Sequence, residues 1–200
     1  DGISNITKED FDWAKRLNKT IKLVAQIDNS MDGFNARVYP VLVDSKHPLA
    51  AIRGALNAVL VEGENINQLV FSGPGAGSAP TASAIIGDVF SACHQMLSSQ
   101  TNWYPLRTPK SGDKEFKDVQ SSWFIRLSVK DEPGVLATIA GLFGQNNVSI
   151  ESVIQEGRGD NAELVLVTHE AEENNLTSSI ESISKLSSVS SVTSTIRVYI

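Results

Sequence analysis

The chain has 200 residues and a formal net charge of −6, with 41% hydrophobic and 20% charged side chains. That allows one large domain or two small ones with packed cores, and it excludes a disordered chain. No run reaches the ~18–20 consecutive apolar residues of a membrane span, and no charged-then-apolar signal pattern opens the chain. It begins Asp1-Gly2-Ile3 without a methionine, which is read as an amino terminus cut by processing or by design. A single cysteine, Cys93, excludes an internal disulfide and is expected to be a buried small hydrophobe of a cytoplasmic protein. His47, His94 and His169 have no ligand spacing, so no metal is expected. Residues 122–200 hold 5 basic and 10 acidic side chains. Such an acidic half repels phosphate backbones and speaks against a nucleic-acid partner.

In chain order, Thr7 opens a helix whose apolar stripe is Phe11, Ala14 and Leu17, with Asp10 completing a capping box. Ile21–Ile27 and Phe34–Val43 read as strands around an Asn29–Gly33 turn. Lys22, in the first of these, reads as a surface lysine, and His47 before Pro48 as a turn residue. Asn57–Glu62 and Leu69–Ser72 are two further strands, and Pro80–Leu97 is a helix with Ala84, Ile85, Val89 and Ala92 on its apolar side. This first segment is α+β and reads as an incomplete domain. Thr101–Ser122, with Pro105, Pro109, Gly112 and many charges, reads as a linker.

Beyond it, Trp123, Ile125, Leu127 and Val129 alternate with Phe124, Arg126 and Ser128 as a strand. Asp131-Glu132-Pro133-Gly134 breaks it, and Leu136, Ile139, Leu142 and Phe143 then fall at helical spacing. A strand from Val148 to Ile154, a Gly157–Asn161 hairpin turn and a strand at Leu164–Val167 follow. Leu176, Ile180, Ile183 and Leu186 mark a second helix, and Val192, Ile196, Val198 and Ile200 a last strand. The order β-α-β-β-α-β is that of a ferredoxin-like domain.

The most specific string of the first segment runs from Phe71 to Ser83 and contains Gly73-Pro74-Gly75-Ala76-Gly77. It leaves a strand and enters a helix with Pro80 at its start, where glycines permit close approach of a ligand and helix N–H groups favour an anion. It is neither a P-loop nor G-x-G-x-x-G. Together with Gly2-Ile3-Ser4, Thr20-Ile21-Lys22-Leu23, His47-Pro48-Leu49-Ala50, Asn57-Ala58-Val59 and Glu62-Gly63, it resembles the homoserine dehydrogenase family over essentially all 200 residues.

The resemblance implies an oxidoreductase that interconverts aspartate semialdehyde and homoserine with NAD or NADP, in threonine, methionine and isoleucine biosynthesis. It implies Gly77, and with it Gly75, as cofactor contacts. It implies an incomplete substrate and dimerisation domain over 1–103, a linker over 104–121 and a regulatory ACT domain over 122–200. No nucleotide-binding βαβ fingerprint is present, and the family's reacting lysine and its acidic companions precede Asp1. No catalytic residue is therefore assigned, and the chain alone is expected to be inactive.

Asp131-Glu132-Pro133-Gly134-Val135-Leu136-Ala137, followed by Asn147-Val148-Ser149-Ile150, is similar to the ACT pattern. Backbone N–H groups near Gly134, Val135 and Leu136 would take an amino-acid carboxylate and Asp131 its ammonium. Many effector-binding ACT domains carry asparagine where this chain has Ser149, beside Ile150, and Gln155 is the alternative amide. Threonine is the effector the resemblance implies, and a homodimer the assembly. The competing reading is a stand-alone amino-acid-binding regulator or dimerisation module without catalysis, since fold alone does not establish a ligand.

Overall fold

The computed structural model describes residues 2–30, 33–98, 119–159 and 162–199. The elements in order are α1 (Lys8–Arg16), β1 (Lys19–Ser30), β2 (Gly33–Asp44), a 3-10 turn (Pro48–Ala51), β3 (Leu56–Gly63), β4 (Asn67–Pro74) and α2 (Ser78–Ser98). Then come β5 (Gln120–Val129), α3 (Val135–Gln145), β6 (Ile150–Glu156), β7 (Ala162–Thr168), β8 (Ala171–Glu172), α4 (Glu173–Ile183) and β9 (Val189–Val198). Most of the span read as a linker, together with parts of the Asn29–Gly33 and Gly157–Asn161 turns, lies outside the described residues. β5 begins at Gln120, inside the end of that span.

The chain forms two compact units, one from residues 1–45 and 111–200 and one from 46–110. The first holds a seven-stranded sheet ordered β1-β2-β9-β5-β7-β6, with β8 paired to β5. Its β9-β5-β7-β6 portion has the strand order expected of a ferredoxin-like domain. β2 extends it by a short parallel pairing, Val41 with Arg197 and Leu42 with Val198, and β1 follows in twelve antiparallel pairs.

β5 is buried on both faces. Trp123, Ile125, Leu127 and Val129 pack with Ile139 and Phe143 of α3, Leu176 and Ile183 of α4, and Leu164 and Leu166 of β7. Phe124 on the opposite face packs with Val165, Val167, Ile196, Leu42 and, from α1, Trp13 and Ala14. The alternation read from sequence suggested one apolar and one more polar face; α1 covers the second face and removes that distinction.

Arg126 shows the consequence. It is 6% exposed, and its guanidinium reaches Asp10 of α1 (Nε to Oδ1, 3.1 Å), Thr7 Oγ1 (2.9 Å) and Glu163 Oε1 (2.8 Å). Asp10, fully buried, also accepts the Thr7 backbone N–H at 2.8 Å, the capping interaction expected from sequence. The second oxygen of Glu163 accepts the Trp13 indole N–H at 2.9 Å. One carboxylate therefore caps α1 and neutralises an arginine of the sheet.

In the second unit β3 and β4 form an eight-pair antiparallel hairpin, Leu56 with Pro74 through Gly63 with Asn67. α2 begins at Ser78, two residues before Pro80, and buries none of its residues. Cys93 is accordingly exposed and not buried, because α2 buries none of its side chains among the described residues. Phe71, Phe90 and Val59 are exposed as well. His47 caps the 3-10 turn, its Nδ1 accepting the Leu49 N–H at 3.3 Å.

Arg126→Met leaves Asp10 buried without its cation, which typically destabilises by about 3–5 kcal/mol. Urea unfolding followed by tryptophan fluorescence should show a loss of about 3 kcal/mol, and a loss below about 1 kcal/mol would contradict the assignment.

Candidate functional site

The loop from Lys130 to Gly134 connects β5 to α3 and is tied down from both sides. The Lys130 N–H bonds to Ser188 O at 2.9 Å, and the Asp131 N–H to Gly159 O at 2.8 Å, past the end of β6. Gly134 caps α3 with φ at +92°, a left-handed conformation in which a side chain would be strained. A Cβ built there meets nothing within 4 Å, so the space over the helix end is open. No side chain caps this end of α3.

Asp131 Oδ1 accepts the Gln155 side-chain amide at 2.9 Å, which brings the end of β6 to the same place. Asp131, Gly134, Leu136 and Gln155 are exposed around one helix terminus. The side chain of Val135 instead enters the core, and its N–H turns back to Glu132 O at 3.3 Å. A carboxylate arriving here would compete with that turn for the donor. The set supplies helix-end N–H groups, an acidic oxygen and an amide, the complement of a zwitterion.

The structure does not bring all seven candidate effector residues together. Ser149 and Ile150 stand at the start of β6 and Gln155 near its end. Five residues of strand span about 17 Å at ~3.3 Å each, beyond the reach of one small amino acid within a single chain. Ser149 O is engaged by the His169 N–H at 2.9 Å.

The two candidate cofactor glycines have internal roles. A Cβ on Gly75 would fall 1.4 Å from the Asn57 side-chain nitrogen, so Asn57 fills the space that the glycine leaves. Gly77 has φ at +125°, and its carbonyl accepts the Thr81 N–H at 3.1 Å as α2 begins. Its neighbour is Pro80, at 3.4 Å from a built Cβ. Lys22 lies half-buried in β1 opposite Val41.

Sequence reading missed the contacts around β6. Glu156 binds the Arg16 guanidinium, with Nη1 donating at 2.8 Å, and Arg16 lies over the Trp13 ring at 3.8 Å. The partners are 140 residues apart in sequence. The one visible hint is position: a charged residue next to Gln155 and two beyond Ile154 shares the face that Ile154 buries against the second core.

Two family models match, homoserine dehydrogenase over residues 1–90 and the ACT domain over residues 123–188. The homoserine dehydrogenase of Mycobacterium tuberculosis is 38% identical over 99% of this chain and 47% of its own length. That of Bacillus subtilis is 35% identical over 98% of this chain and 46% of its own length. The chain belongs to the homoserine dehydrogenase family. It corresponds to the carboxy-terminal part and spans about half the length of the curated relatives that it matches. A crystal structure of a homoserine dehydrogenase from Thiobacillus denitrificans superposes with a TM-score of 0.91 at 29% identity, covering 100% of this chain and 47% of that one. A crystal structure of the Staphylococcus aureus homoserine dehydrogenase at pH 7.5 gives a TM-score of 0.67 at 26% identity, covering 99% and 46%. The Arg16–Glu156 contact thus joins the homoserine dehydrogenase match to the ACT match.

The Arg16 hydrogen bonds, aided by its charge, hold the Glu156 carboxyl below its ordinary value of 4.5 against a partial desolvation that raises it. A depressed carboxyl contributes stability above that ordinary value and loses it as pH falls through the folded value. Carboxyl NMR titration should place Glu156 below 4.5 and return it there in Arg16→Met; an unshifted Glu156 in the unsubstituted chain would refute the pairing in solution.

Proposed function

We propose that this chain is the carboxy-terminal part of a cytoplasmic, homodimeric homoserine dehydrogenase. The whole enzyme interconverts aspartate semialdehyde and homoserine with NAD or NADP, on the route to threonine, methionine and isoleucine. The amino end of α3 senses an amino acid, threonine in the first instance. The observation that carries the sensing reading is the junction of Asp131, Gln155 and the uncapped helix end at Gly134. There an α-carboxylate meets backbone N–H groups and an α-ammonium meets Asp131.

On the catalytic side the chain supplies a substrate and dimerisation segment, 1–103, joined through 104–121 to the sensing domain, 122–200. Gly75 is sufficiently explained by Asn57, which leaves Gly77 as the better candidate for a cofactor contact. The nicotinamide cofactor would supply the hydride, and this chain would offer it backbone at Gly77. Ser149 and Ile150, remote from Asp131 within one chain, suit a site completed by a second copy. A purely regulatory module would have no use for the homoserine dehydrogenase match over residues 1–90.

Calorimetry of the chain with threonine, isoleucine and methionine tests the sensing reading. Threonine should bind, and Asp131→Asn should weaken it by about tenfold or more, since hydrogen bonds to charged groups carry ~1.5–3 kcal/mol. Silence with all three amino acids would sink it. Homoserine oxidation by the 200-residue chain with added NADP should be undetectable, while Gly77→Val in the intact enzyme should raise the apparent cofactor Kd. Turnover by the chain alone, or unchanged cofactor affinity in that variant, would overturn the corresponding assignment.

A further inference from the structure

Gln155 and Glu156 are neighbours on β6, so their side chains leave opposite faces of the sheet. On one face Gln155 holds Asp131 at the amino end of α3. On the other Glu156 holds Arg16, in the last turn of α1. Arg16 covers Trp13, whose indole N–H reaches Glu163, and Glu163 continues to Arg126 and Asp10. A set of contacts, carried by side chains on each face and by the β6 backbone between Gln155 and Glu156, therefore runs from the proposed sensing site to the helix that opens the homoserine dehydrogenase match.

We infer that the end of β6 is a relay, through which an amino acid bound at Asp131 shifts the carboxy-terminal turn of α1. The inference rests on the sensing reading above. An incoming ammonium that binds at Asp131 Oδ1 competes with the Gln155 amide for that oxygen and shifts the amide on it. The strand ends one residue later, where Gly157, with φ at +83°, turns the chain out of the sheet and leaves its last residues at the free end of the ladder. Glu156 moves with Gln155 and alters its grip on Arg16.

The two anchors of α1 differ in strength. Asp10 and Arg126 are buried, which fixes the amino-terminal turn on the sheet. The Arg16 and Glu156 side chains are both nearly half exposed, so solvent competes for that contact. A ligand can therefore release or tighten the far end of α1 without unseating the near one. The relay works as a contact with two arrangements, made and released, which ligand binding at Asp131 biases from one side.

Amide hydrogen exchange of the 200-residue chain, with and without L-threonine and alongside calorimetry, tests this. Threonine should change exchange at Trp13–Leu17 by about fivefold or more, the lower range of typical coupling. Glu156→Gln and Arg16→Met should cut that response to less than about twofold with threonine affinity held within about threefold, and Arg16→Lys should restore part of it. Threonine heat with no change at α1, or a response that survives in both variants, would overturn the relay and leave the sensing reading intact. No heat from threonine, isoleucine or methionine would overturn both.

Discussion

The buried pair of Arg126 and Asp10 is the constraint on which the first unit depends. A guanidinium placed in the middle of a sheet face must be neutralised there, and Asp10 is neutralised only if α1 lies on that face. The pair therefore fixes more than its own geometry. It brings Trp13 and Ala14 over Phe124, Val165 and Ile196, and so turns the open face of a ferredoxin-like sheet into a second core. β1 and β2 then continue from α1 into the same sheet. Residues 1–45, within the segment matching homoserine dehydrogenase, and the segment matching the ACT domain thereby share the second core.

Period and punctuation in the sequence were enough for the β-α-β-β-α-β order, because β5, α3, β7 and α4 each bury a face whose spacing matches their geometry. The Thr7–Asp10 cap was legible for the same local reason. What spacing could not convey is where Arg126 points its charge. Its partners Thr7 and Asp10 lie 119 and 116 residues away, and a strand position flanked by Ile125 and Leu127 reads equally well as solvent-facing. Cys93 failed for a related reason: an apolar stripe says that a helix can be covered, not that this chain covers it.

The candidate site was only partly legible. Asp131, Gly134 and Leu136 come from one contiguous string and necessarily meet at one helix end, while Gln155 joins them because β6, beyond β7 and parallel to β5, ends at the same edge of the sheet. Ser149 and Ile150 share that strand with Gln155, and strand rise separates them. In the glycine-rich string the family resemblance implied cofactor contact at Gly77 and with it Gly75. Close packing by Asn57 gives Gly75 a sufficient internal reason, while at Gly77 the nearest atom to a built Cβ, on Pro80, lies 3.4 Å away. A glycine conserves space for whatever approaches it, and at Gly75 that is the chain's own side chain.

The sheet order also carries a consequence for biosynthesis. α1 and the β1–β2 ribbon are synthesised well before β9, yet β9 is the parallel partner of β2. At ~5–20 residues per second, the apolar side of Trp13, Ala14 and Leu42 waits on the order of ten to thirty seconds for Ile196. During that interval residues 46–110 are synthesised and can pair their own hairpin, while the first unit is open at both ends. The unit whose termini meet last is thus the one most exposed to wrong partners while it is being made.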